Sequence, residues 1–454
     1  MNYRSSIYPV LFFSALHIFT GKAAAQMEND FLTPAREINA RILNLDSHVD
    51  IPADFATEKM DPGIRNDKLQ VDLVKMAEGG LDVAVFIAYV GQGPRDEKGY
   101  EAAFAKVKHS IASIRRLCEK MYPDRIGLAL SPEETERIVA SGKKAAVIGI
   151  ENGYAIGRDI SLLDTCYALG ARYLTLCHIG HNDICDSANR LIGHPDESGE
   201  GLDERGNHIF GLLAGLETIY VEQEAPPEHG GLSEFGRQVV ARMNRLGMLV
   251  DVSHISASSV RGAIAASRAP VIASHSNSRA LCRIGRNLDD PELMLIRDTG
   301  GCVQVNALAG YVKFPQEARQ DLQELFERTG TSKMSYEGFL RLYRENRADY
   351  DSLMTRCSEG IKQVYQRYPQ PDVRDVADHI DYLVKLVGVD HVGVGTDFGG
   401  GGGVKDFKDA SQAVNLTAEL LRRGYSEPDL AKIWGGNFLR VWRAAEKVAK
   451  EIGR

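Results

Sequence analysis

Cysteine is scarce in this 454-residue chain, which has seven cysteines and no C-x-x-C pair. This usage excludes a small disulfide scaffold and disfavours a zinc site built from thiolates. The sequence also lacks runs of lysine or arginine, and its formal charge is −8, from 54 basic and 62 acidic side chains. A binding surface for nucleic acid is therefore not expected. Since 44% of the residues are apolar, we expect a large packed core rather than a disordered or fibrous chain.

The first 25 residues differ in character from the rest of the chain. Arg4 provides a positive charge, Tyr8–Gly21 is a mostly apolar stretch of 14 residues, and Ala23–Ala25 offers an A-x-A cleavage site. The apolar stretch is shorter than the ~20 residues that a membrane-spanning helix needs. This order is typical of a cleaved export signal, and an uncleaved anchor is the alternative. We expect residues 1–25 to be removed and the protein to be exported, to a periplasm or out of the cell, with membrane association left open.

Short apolar segments alternate with longer amphipathic ones from residue 40 onward. Eight of the short segments are almost continuously apolar, which is typical of strands buried on both faces. They are Ile42–Val49, Leu81–Tyr89, Ala145–Ile150, Arg172–Leu176, Met248–Val252, Pro270–Ala273, Cys302–Val305 and His391–Gly395. Eight strands separated by helices predict an α/β fold, a closed parallel (β/α)8 TIM barrel forming one domain over residues 26–454. An open doubly wound sheet is the alternative, but no G-x-G-x-x-G segment follows the first strand.

Two segments are too long for simple barrel connections. Ile179–Gly231 follows the fourth predicted strand and is rich in Gly, Pro, Asp and His, so we interpret it as an elaborated loop. Residues 314–368 follow the seventh strand and show apolar faces with helical spacing, which predicts a helical insertion. This insertion should emerge at the carboxyl end of the barrel, where barrel enzymes carry their chemistry. It either covers the site as a lid or wall, or it only adds stability or an interface.

Six of the predicted strands end in segments that carry ionisable side chains. The carboxyl ends of parallel strands meet at one end of a barrel, so these side chains should converge. Within the first segment, His48 and Asp50 are two residues apart and point to the same side of the strand. The segments are Asp46–Asp50, Gly149–Gly153, Thr175–His178, Asp251–His254, Ala273–His275 and Gly395–Asp397.

Three imidazoles and two carboxylates from these segments form a set of metal-ligand candidates: His48, Asp50, Glu151, His254 and His275. Nitrogen and oxygen donors without a thiolate suit Zn²⁺ or a similar divalent ion. Five ligands fit two ions about 3.5–4 Å apart, and Glu151 is the natural bridge because a carboxylate can give one oxygen to each ion. We assign His48, Asp50 and Glu151 to one ion, and Glu151, His254 and His275 to the other. Each residue alone could be an ordinary polar side chain or a turn cap, but their joint position favours a metal site.

Several long motifs, in order along the chain, resemble the zinc-dependent membrane (renal) dipeptidase family, a branch of the metal-dependent amidohydrolase barrels. The resemblance runs from about Asn44 to Ala445. Its most distinctive stretch extends from Gly231-Leu232-Ser233 to Leu249–His254. The other motifs are Asp46–Asp50, Gly149–Gly153, Arg172–His178, Pro270–Asn277, Arg286–Leu288, Gly395–Phe398 and Gly436–Arg440.

The resemblance implies a zinc-dependent dipeptidase with two Zn²⁺ per subunit, ligated by the five residues above. By similarity, His178 stabilises the tetrahedral intermediate, Arg286 binds the C-terminal carboxylate of the substrate, and Asp397 holds its amino group and moves a proton. An Arg fork suits bidentate carboxylate recognition, and a carboxylate suits an α-ammonium group. The expected reaction is attack of a metal-bridging hydroxide on the scissile amide. The resemblance also suggests a homodimer. His181 is a less favoured competitor for the role of His178.

The sequence departs from the family pattern after the eighth predicted strand. The family often has D-F-D-G there, whereas this chain has Gly399 at the second acidic position, followed by four more glycines. We expect this loop to be more mobile than its counterpart in the family. Two other functions are considered. One is a metal-dependent amidohydrolase that acts on N-acyl amino acids, cyclic amides or lactams. The other is an exported barrel that binds metal or peptide without turnover.

Overall fold

The computed structural model describes residues 30–189, 224–334 and 336–453. The expected export signal, residues 1–25, lies outside the described residues, and so does the middle part of the elaborated loop. Within the described part of the chain, no helix combines the length and the apolar character that crossing a membrane requires.

Within these described ranges, nine parallel strands form one sheet, in the order β1-β2-β4-β5-β6-β7-β8-β9, with β3 paired to β4. All eight predicted strands are present, and β3 is an addition that the sequence did not predict. β2 pairs along the whole of one edge of β4, while β3 and β5 share its other edge. The strands are β1 (Leu45–Asp50), β2 (Val83–Tyr89), β3 (Ile126–Leu128), β4 (Lys144–Glu151), β5 (Ala171–Thr175), β6 (Leu249–Asp251), β7 (Ile272–Ala273), β8 (Cys302–Val305) and β9 (Val392–Val394).

The two ends of the sheet meet beside the carboxyl ends of β1 and β9. Val49 of β1 forms a parallel bridge with Phe398, four residues past β9. The Asp50 N–H donates to the Phe398 carbonyl at 2.7 Å, and the Asp397 N–H donates to the His48 carbonyl at 3.0 Å. These contacts confirm the predicted (β/α)8 barrel, which is nearly closed.

Helices connect successive strands on the outside of the barrel. Several begin at a side chain that caps free N–H groups, as Asp72, Ser233 and Ser256 do. The α-helices are residues 30–39, Leu73–Gly79, Glu97–Arg116, Pro132–Ala140, Ser161–Leu169, Glu234–Leu246, Ala257–Ala266, Asp290–Asp298, Ala309–Val312, Gln316–Thr329, Tyr336–Glu345, Arg347–Arg367, Val373–Val387, Ala413–Arg422, Glu427–Ala431 and Asn437–Ile452. Short 3₁₀ turns span Gly153–Ile156, Thr331–Lys333, Val389–His391 and Ala410–Gln412, and π-helical turns span Leu117–Met121 and Lys432–Gly436.

Side chains alternate between the barrel interior and the layer of helices. Along β2, Val83, Val85 and Ile87 belong to an apolar cluster inside the barrel, the interior cluster. The residues between them, Ala84 and Phe86, pack against the helices. Phe438 and Trp442 of the helix Asn437–Ile452 join the interior cluster near the strand starts and so close the amino end of the barrel. The carboxyl end is left for polar side chains.

The segment after β8 is a three-helix insertion, as predicted. Its helices are Gln316–Thr329, Tyr336–Glu345 and Arg347–Arg367. They bury a core of their own, which includes Leu322, Phe326, Tyr350, Leu353, Met354, Cys357 and Val364. The insertion therefore packs as a unit distinct from the barrel core.

Candidate metal centre

The five predicted metal ligands converge at the carboxyl end of the barrel. His48 and Asp50 lie in β1, Glu151 is the last residue of β4, and His254 and His275 follow β6 and β7. Glu151 has the same strand parity as Ala145 and Val147 of the interior cluster, so its side chain points into the barrel. Each of these residues is buried except Asp50, which is partly buried.

Glu151 stands at the centre of the cluster. One of its oxygens, Oε1, lies 3.2 Å from His254 Nε2 and 3.3 Å from His275 Nε2. The other oxygen, Oε2, lies 3.6 Å from His48 Nε2, which is itself 3.6 Å from Asp50 Oδ2. The two oxygens of a single carboxylate therefore face different imidazoles.

In the part of the chain that the structure describes, three groups of possible ligand atoms each fit within 4.8 Å. Glu151 belongs to two of them, and His48 also belongs to two. The groupings place His275 beside His48 and bring His178 and Asp397 within reach, so they do not reproduce the predicted division into two sets of ligands. That division stays a prediction. The groups are His48, Glu151 and His275; Glu151, His178 and His254; and His48, Asp50 and Asp397.

Polar atoms without partners show that this cluster fits a cation. Among the described residues, His48 Nε2 and Glu151 Oε1 are buried, face the cluster and make no hydrogen bond of acceptable geometry. Buried polar atoms of this kind carry a large desolvation cost unless a partner satisfies them. Imidazole nitrogens and carboxylate oxygens are the donors that a divalent ion such as Zn²⁺ accepts. The residues present therefore fit a bound metal.

The protonation states of the cluster suit metal binding. Burial lowers the pKa of His254 and of His275 well below the ordinary imidazole value, so each ring is neutral at pH 7. Burial acts to raise the pKa of Glu151, but the imidazoles of His178 and His48 outweigh it and hold that pKa well below its usual range. Burial also acts to lower the pKa of His48, yet the Glu151 carboxylate raises it to about 10. His48 therefore carries a proton beside Glu151 at pH 7, at a position where a divalent cation would replace that proton.

The backbone is unusual at two of the site residues. His254 and Asp397 have positive φ angles of 68° and 63°, a conformation that non-glycine residues seldom adopt. Such strain persists only where the surrounding structure determines it, and it is common at functional sites. Here it turns each side chain into the cluster at the end of its strand.

The three residues with inferred substrate roles surround the cluster. His178 Nε2 lies 3.9 Å from Glu151 Oε1, and its ring meets Tyr89 edge-on at 5.0 Å between centroids. Asp397 Oδ2 accepts a hydrogen bond of 3.1 Å from Asn306 Nδ2, and burial raises the pKa of Asp397.

Arg286 is buried beside the cluster, with 2% of its surface exposed. It donates to the His275 carbonyl at 2.9 Å and to Ser276 Oγ at 3.0 Å, and its guanidinium lies over the Tyr311 ring at 5.3 Å. By contrast, His181 is engaged inside its own loop, where Nε2 contacts the Pro226 carbonyl at 2.9 Å. The structure therefore brings His178, not His181, to the cluster.

The glycine loop after β9 packs directly against the site. The Gly399 N–H donates to Gln70 Oε1 at 2.7 Å, and Gly399 has a positive φ of 86°. A Cβ atom at Gly400 would lie 2.3 Å from both Asp397 Oδ1 and Asp50 Oδ2. A side chain at position 400 would therefore displace one or both of these carboxylates, a constraint that the sequence did not reveal.

Three supporting residues were also missed by sequence reasoning: Tyr173, Asp251 and Ser274. They lie below the histidines, and hydrogen bonds link their side chains to His48 or His275 or to one another. Asp251 was visible as the last residue of a strand, and the alternation of β5 places Tyr173 inside the barrel. Nothing in the sequence states which imidazole each would contact.

The fold and the cluster together define a metal-dependent hydrolase barrel. The family model for membrane dipeptidases (Peptidase family M19) matches residues 32–219 and 216–453 of this sequence. The chain therefore belongs to the membrane dipeptidase family, and the resemblance found in its motifs is confirmed.

Named relatives extend over most of the chain. Dipeptidase verJ from Clonostachys rogersoniana is 28% identical over 440 residues, which are 93% of this chain and 89% of that protein. Dipeptidase aclJ from Aspergillus oryzae is 29% identical over 390 residues, which are 84% of this chain and 72% of that protein. The crystal structure of the probable dipeptidase PvdM from Pseudomonas aeruginosa is similar with a TM-score of 0.75 and 32% identity, covering 92% of this chain and 99% of that one.

Proposed function

We propose that this chain is a binuclear zinc dipeptidase that hydrolyses the amide bond of a dipeptide. The observation that carries the proposal is the position of Glu151, whose two oxygens face different imidazoles 3.2–3.6 Å away. Membership of the membrane dipeptidase family supports the substrate class. In this proposal His48 and Asp50 would hold one ion, His254 and His275 would hold the other, and Glu151 would contribute to both.

The metal ions would lower the pKa of a bound water to ~7 and would polarise the scissile carbonyl. Side chains of the protein would carry out the remaining steps. His178 is partly exposed at the edge of the cluster, where its imidazole can donate a hydrogen bond to the developing oxyanion. Asp397, whose pKa burial raises, is placed to carry a proton to the leaving amine.

Two groups would read the ends of the substrate. Arg286 offers a guanidinium held by Ser276 and the His275 carbonyl, and its Nε makes no hydrogen bond within the described residues. A planar fork of this kind suits the substrate carboxylate. Asp397 would pair with the α-ammonium group. Reading both ends at a fixed separation would reject longer peptides and blocked ones.

A substrate panel tests this function. Protein loaded with zinc is assayed on L,L- and L,D-dipeptides, on the same dipeptides with an acetylated amine, on N-acyl amino acids and on lactams. We expect hydrolysis of dipeptides with both ends free, its loss on treatment with a chelator, and its return with added Zn²⁺. Equal cleavage of the acetylated forms would instead indicate an N-acyl amidohydrolase. Metal binding without any hydrolysis would indicate a binding protein.

We also propose that the protein is exported after cleavage behind Ala25 and that it forms a homodimer. The support for export is the order of a charged start, a short apolar stretch and an A-x-A site. The N-terminal sequence of the protein recovered from the extracytoplasmic fraction tests the first point, and Gln26 is the expected first residue. Light scattering of the purified protein tests the second, with a mass of twice the mature chain expected.

A further inference from the structure

One hydroxyl group lies beneath two of the metal-ligand candidates. Ser274 Oγ is 2.8 Å from His275 Nδ1 and 3.3 Å from His48 Nδ1. It also donates to Asp251 Oδ2 at 2.6 Å. Ser274 and Asp251 are fully buried. The same serine thus contacts two imidazoles that we assign to different ions.

The position of the serine hydrogen follows from the surroundings of Asp251. Its Oδ1 accepts the N–H groups of Ser253 and Ser274 at 3.0 and 2.8 Å. Its Oδ2 accepts the hydroxyls of Thr175 and Ser274 at 2.5 and 2.6 Å. Because a hydroxyl has one hydrogen and two lone pairs, Ser274 is left with acceptor sites toward the imidazoles.

Tyr173 imposes the same condition on His48. Its hydroxyl lies 3.0 Å from the Ser47 carbonyl and 2.9 Å from His48 Nδ1. Its hydrogen is donated to the Ser47 carbonyl, which can only accept. Its oxygen therefore accepts the hydrogen of His48 Nδ1, which it shares with the more distant Ser274 Oγ in a three-centre hydrogen bond.

We propose that Asp251, Ser274 and Tyr173 are positioning residues that hold His48 and His275 with hydrogen on Nδ1, so that the Nε2 lone pairs face the cavity. This inference rests on the proposed two-metal site. Partners of this kind fix the tautomer and the orientation of a ligating histidine, and their loss commonly costs 10–100-fold in metal affinity. Since Ser274 serves both imidazoles, it couples the two ion sites, whereas Tyr173 serves only His48.

Zinc binding to the metal-free protein tests the proposal without reference to catalysis. Protein stripped with a chelator is titrated with Zn²⁺ in competition with a chromophoric chelator, and the bound equivalents are counted by elemental analysis. Ser274→Ala should weaken the equivalent bound through His275 about 10–100-fold and the one bound through His48 by less, because Tyr173 remains as the nearer acceptor of His48 Nδ1. Tyr173→Phe should weaken only the equivalent bound through His48. Melting of the metal-free variants measures the purely structural cost.

Two controls remove buried hydroxyls elsewhere. Ser259 Oγ donates to the Asp186 carbonyl and Tyr154 Oη to the Pro94 carbonyl, so neither bond involves an imidazole. Ser259→Ala and Tyr154→Phe should therefore bind two equivalents as the wild type does.

The outcomes separate this inference from the proposed function. Wild-type affinity for both equivalents in Ser274→Ala would overturn the inference and leave the two-metal site standing. A wild-type protein that binds fewer than two equivalents would overturn both. If Ser274→Ala does not fold, Tyr173→Phe decides the question, because the ring and its packing remain. Unchanged affinity at both sites in that variant would equally count against the inference.

Discussion

A single carboxylate organises the candidate site. Glu151 is 3% exposed, lies among four imidazoles, and has one oxygen toward His48 and the other toward His254 and His275. Its negative charge is held by that environment, because the imidazoles of His178 and His48 lower its pKa against the effect of burial. Any group that replaces Glu151 must therefore match both its shape and its charge.

The variant Glu151→Gln keeps the shape and removes the charge. We expect the bound metal to fall by at least one equivalent per chain and activity to fall with it, because an amide cannot give one anionic oxygen to each of two ions. Elemental analysis together with kcat on a dipeptide measures both effects. The matched control is Glu292→Gln, a carboxylate that is also 3% exposed but pairs with Arg261. Full metal content with intact turnover in Glu151→Gln would contradict the bridging role.

Arg286→Lys keeps the positive charge and removes the planar fork. We expect KM to rise about 10–100-fold with a smaller change in kcat, since hydrogen bonds to a charged partner contribute about 1.5–3 kcal/mol. The measurement is steady-state kinetics on a dipeptide and on its C-terminal amide. On the amide, which lacks the carboxylate, variant and wild type should have similar KM values. Arg440→Lys is the control, because Arg440 donates instead to the Gly300 and Asp390 carbonyls, which precede β8 and β9 at the amino end of the barrel. An effect on kcat alone would place Arg286 outside substrate binding.

Hydrogen bonds hold the glycine loop after β9 as part of the site. Gln70 fixes it from the opposite side, accepting from the Gly399 N–H and donating to the Gly402 carbonyl at 2.8 Å. The Gly400 and Gly402 N–H groups in turn donate to the Asp397 carbonyl at 3.1 and 2.7 Å. The loop thus surrounds the backbone of Asp397, whose φ is positive.

Gly400→Ala adds one methyl group between Asp397 and Asp50. Because that Cβ would lie 2.3 Å from an oxygen of each, one or both carboxylates must move. We expect kcat/KM to fall at least about 10-fold. The free energy of unfolding should fall by about 1–3 kcal/mol, the usual range for overpacking. Gly453→Ala is the control, since its nearest contact would be an ordinary 3.4 Å. Unaltered kinetics with normal metal content would show that the loop tolerates a side chain at this position.

The strands show which parts of the architecture a sequence can reveal. Continuous apolar segments predicted eight strands, because strands covered on both faces have no polar side. β3 was missed because it is not covered on both faces: only Ile126 of Ile126–Leu128 is buried, whereas the equally short β6 and β9 are buried throughout. The metal-ligand candidates were predictable from their positions at strand ends. Tyr173 and Ser274 were not, since alternation gives the direction of a side chain but not its hydrogen-bond partner across the barrel.

The two ends of the barrel are filled by different kinds of side chain. The helix Asn437–Ile452 fills the amino end with Phe438 and Trp442, whereas the carboxyl end gathers buried charged groups. Buried ionisable groups make stability depend on pH wherever folding shifts their pKa. A suitable group away from the metal candidates is His379 in the helix Val373–Val387, which accepts from the Ser278 N–H at 3.2 Å and contacts the Val312 carbonyl at 2.9 Å.

His379 should make the protein less stable in mild acid. Burial lowers its pKa to about 4 from an ordinary value of 6.5, so below pH 6.5 the unfolded chain binds a proton that the folded chain excludes. The free energy of unfolding should therefore fall as the pH is lowered from 6.5 to 4, and this group contributes up to about 1.4 kcal/mol per pH unit. Denaturant unfolding of metal-free protein in a chelator measures the slope, and His379→Gln should flatten it despite lower stability at pH 7. His109→Gln controls for the loss of an exposed imidazole, and equal slopes for wild type and His379→Gln would contradict the assignment.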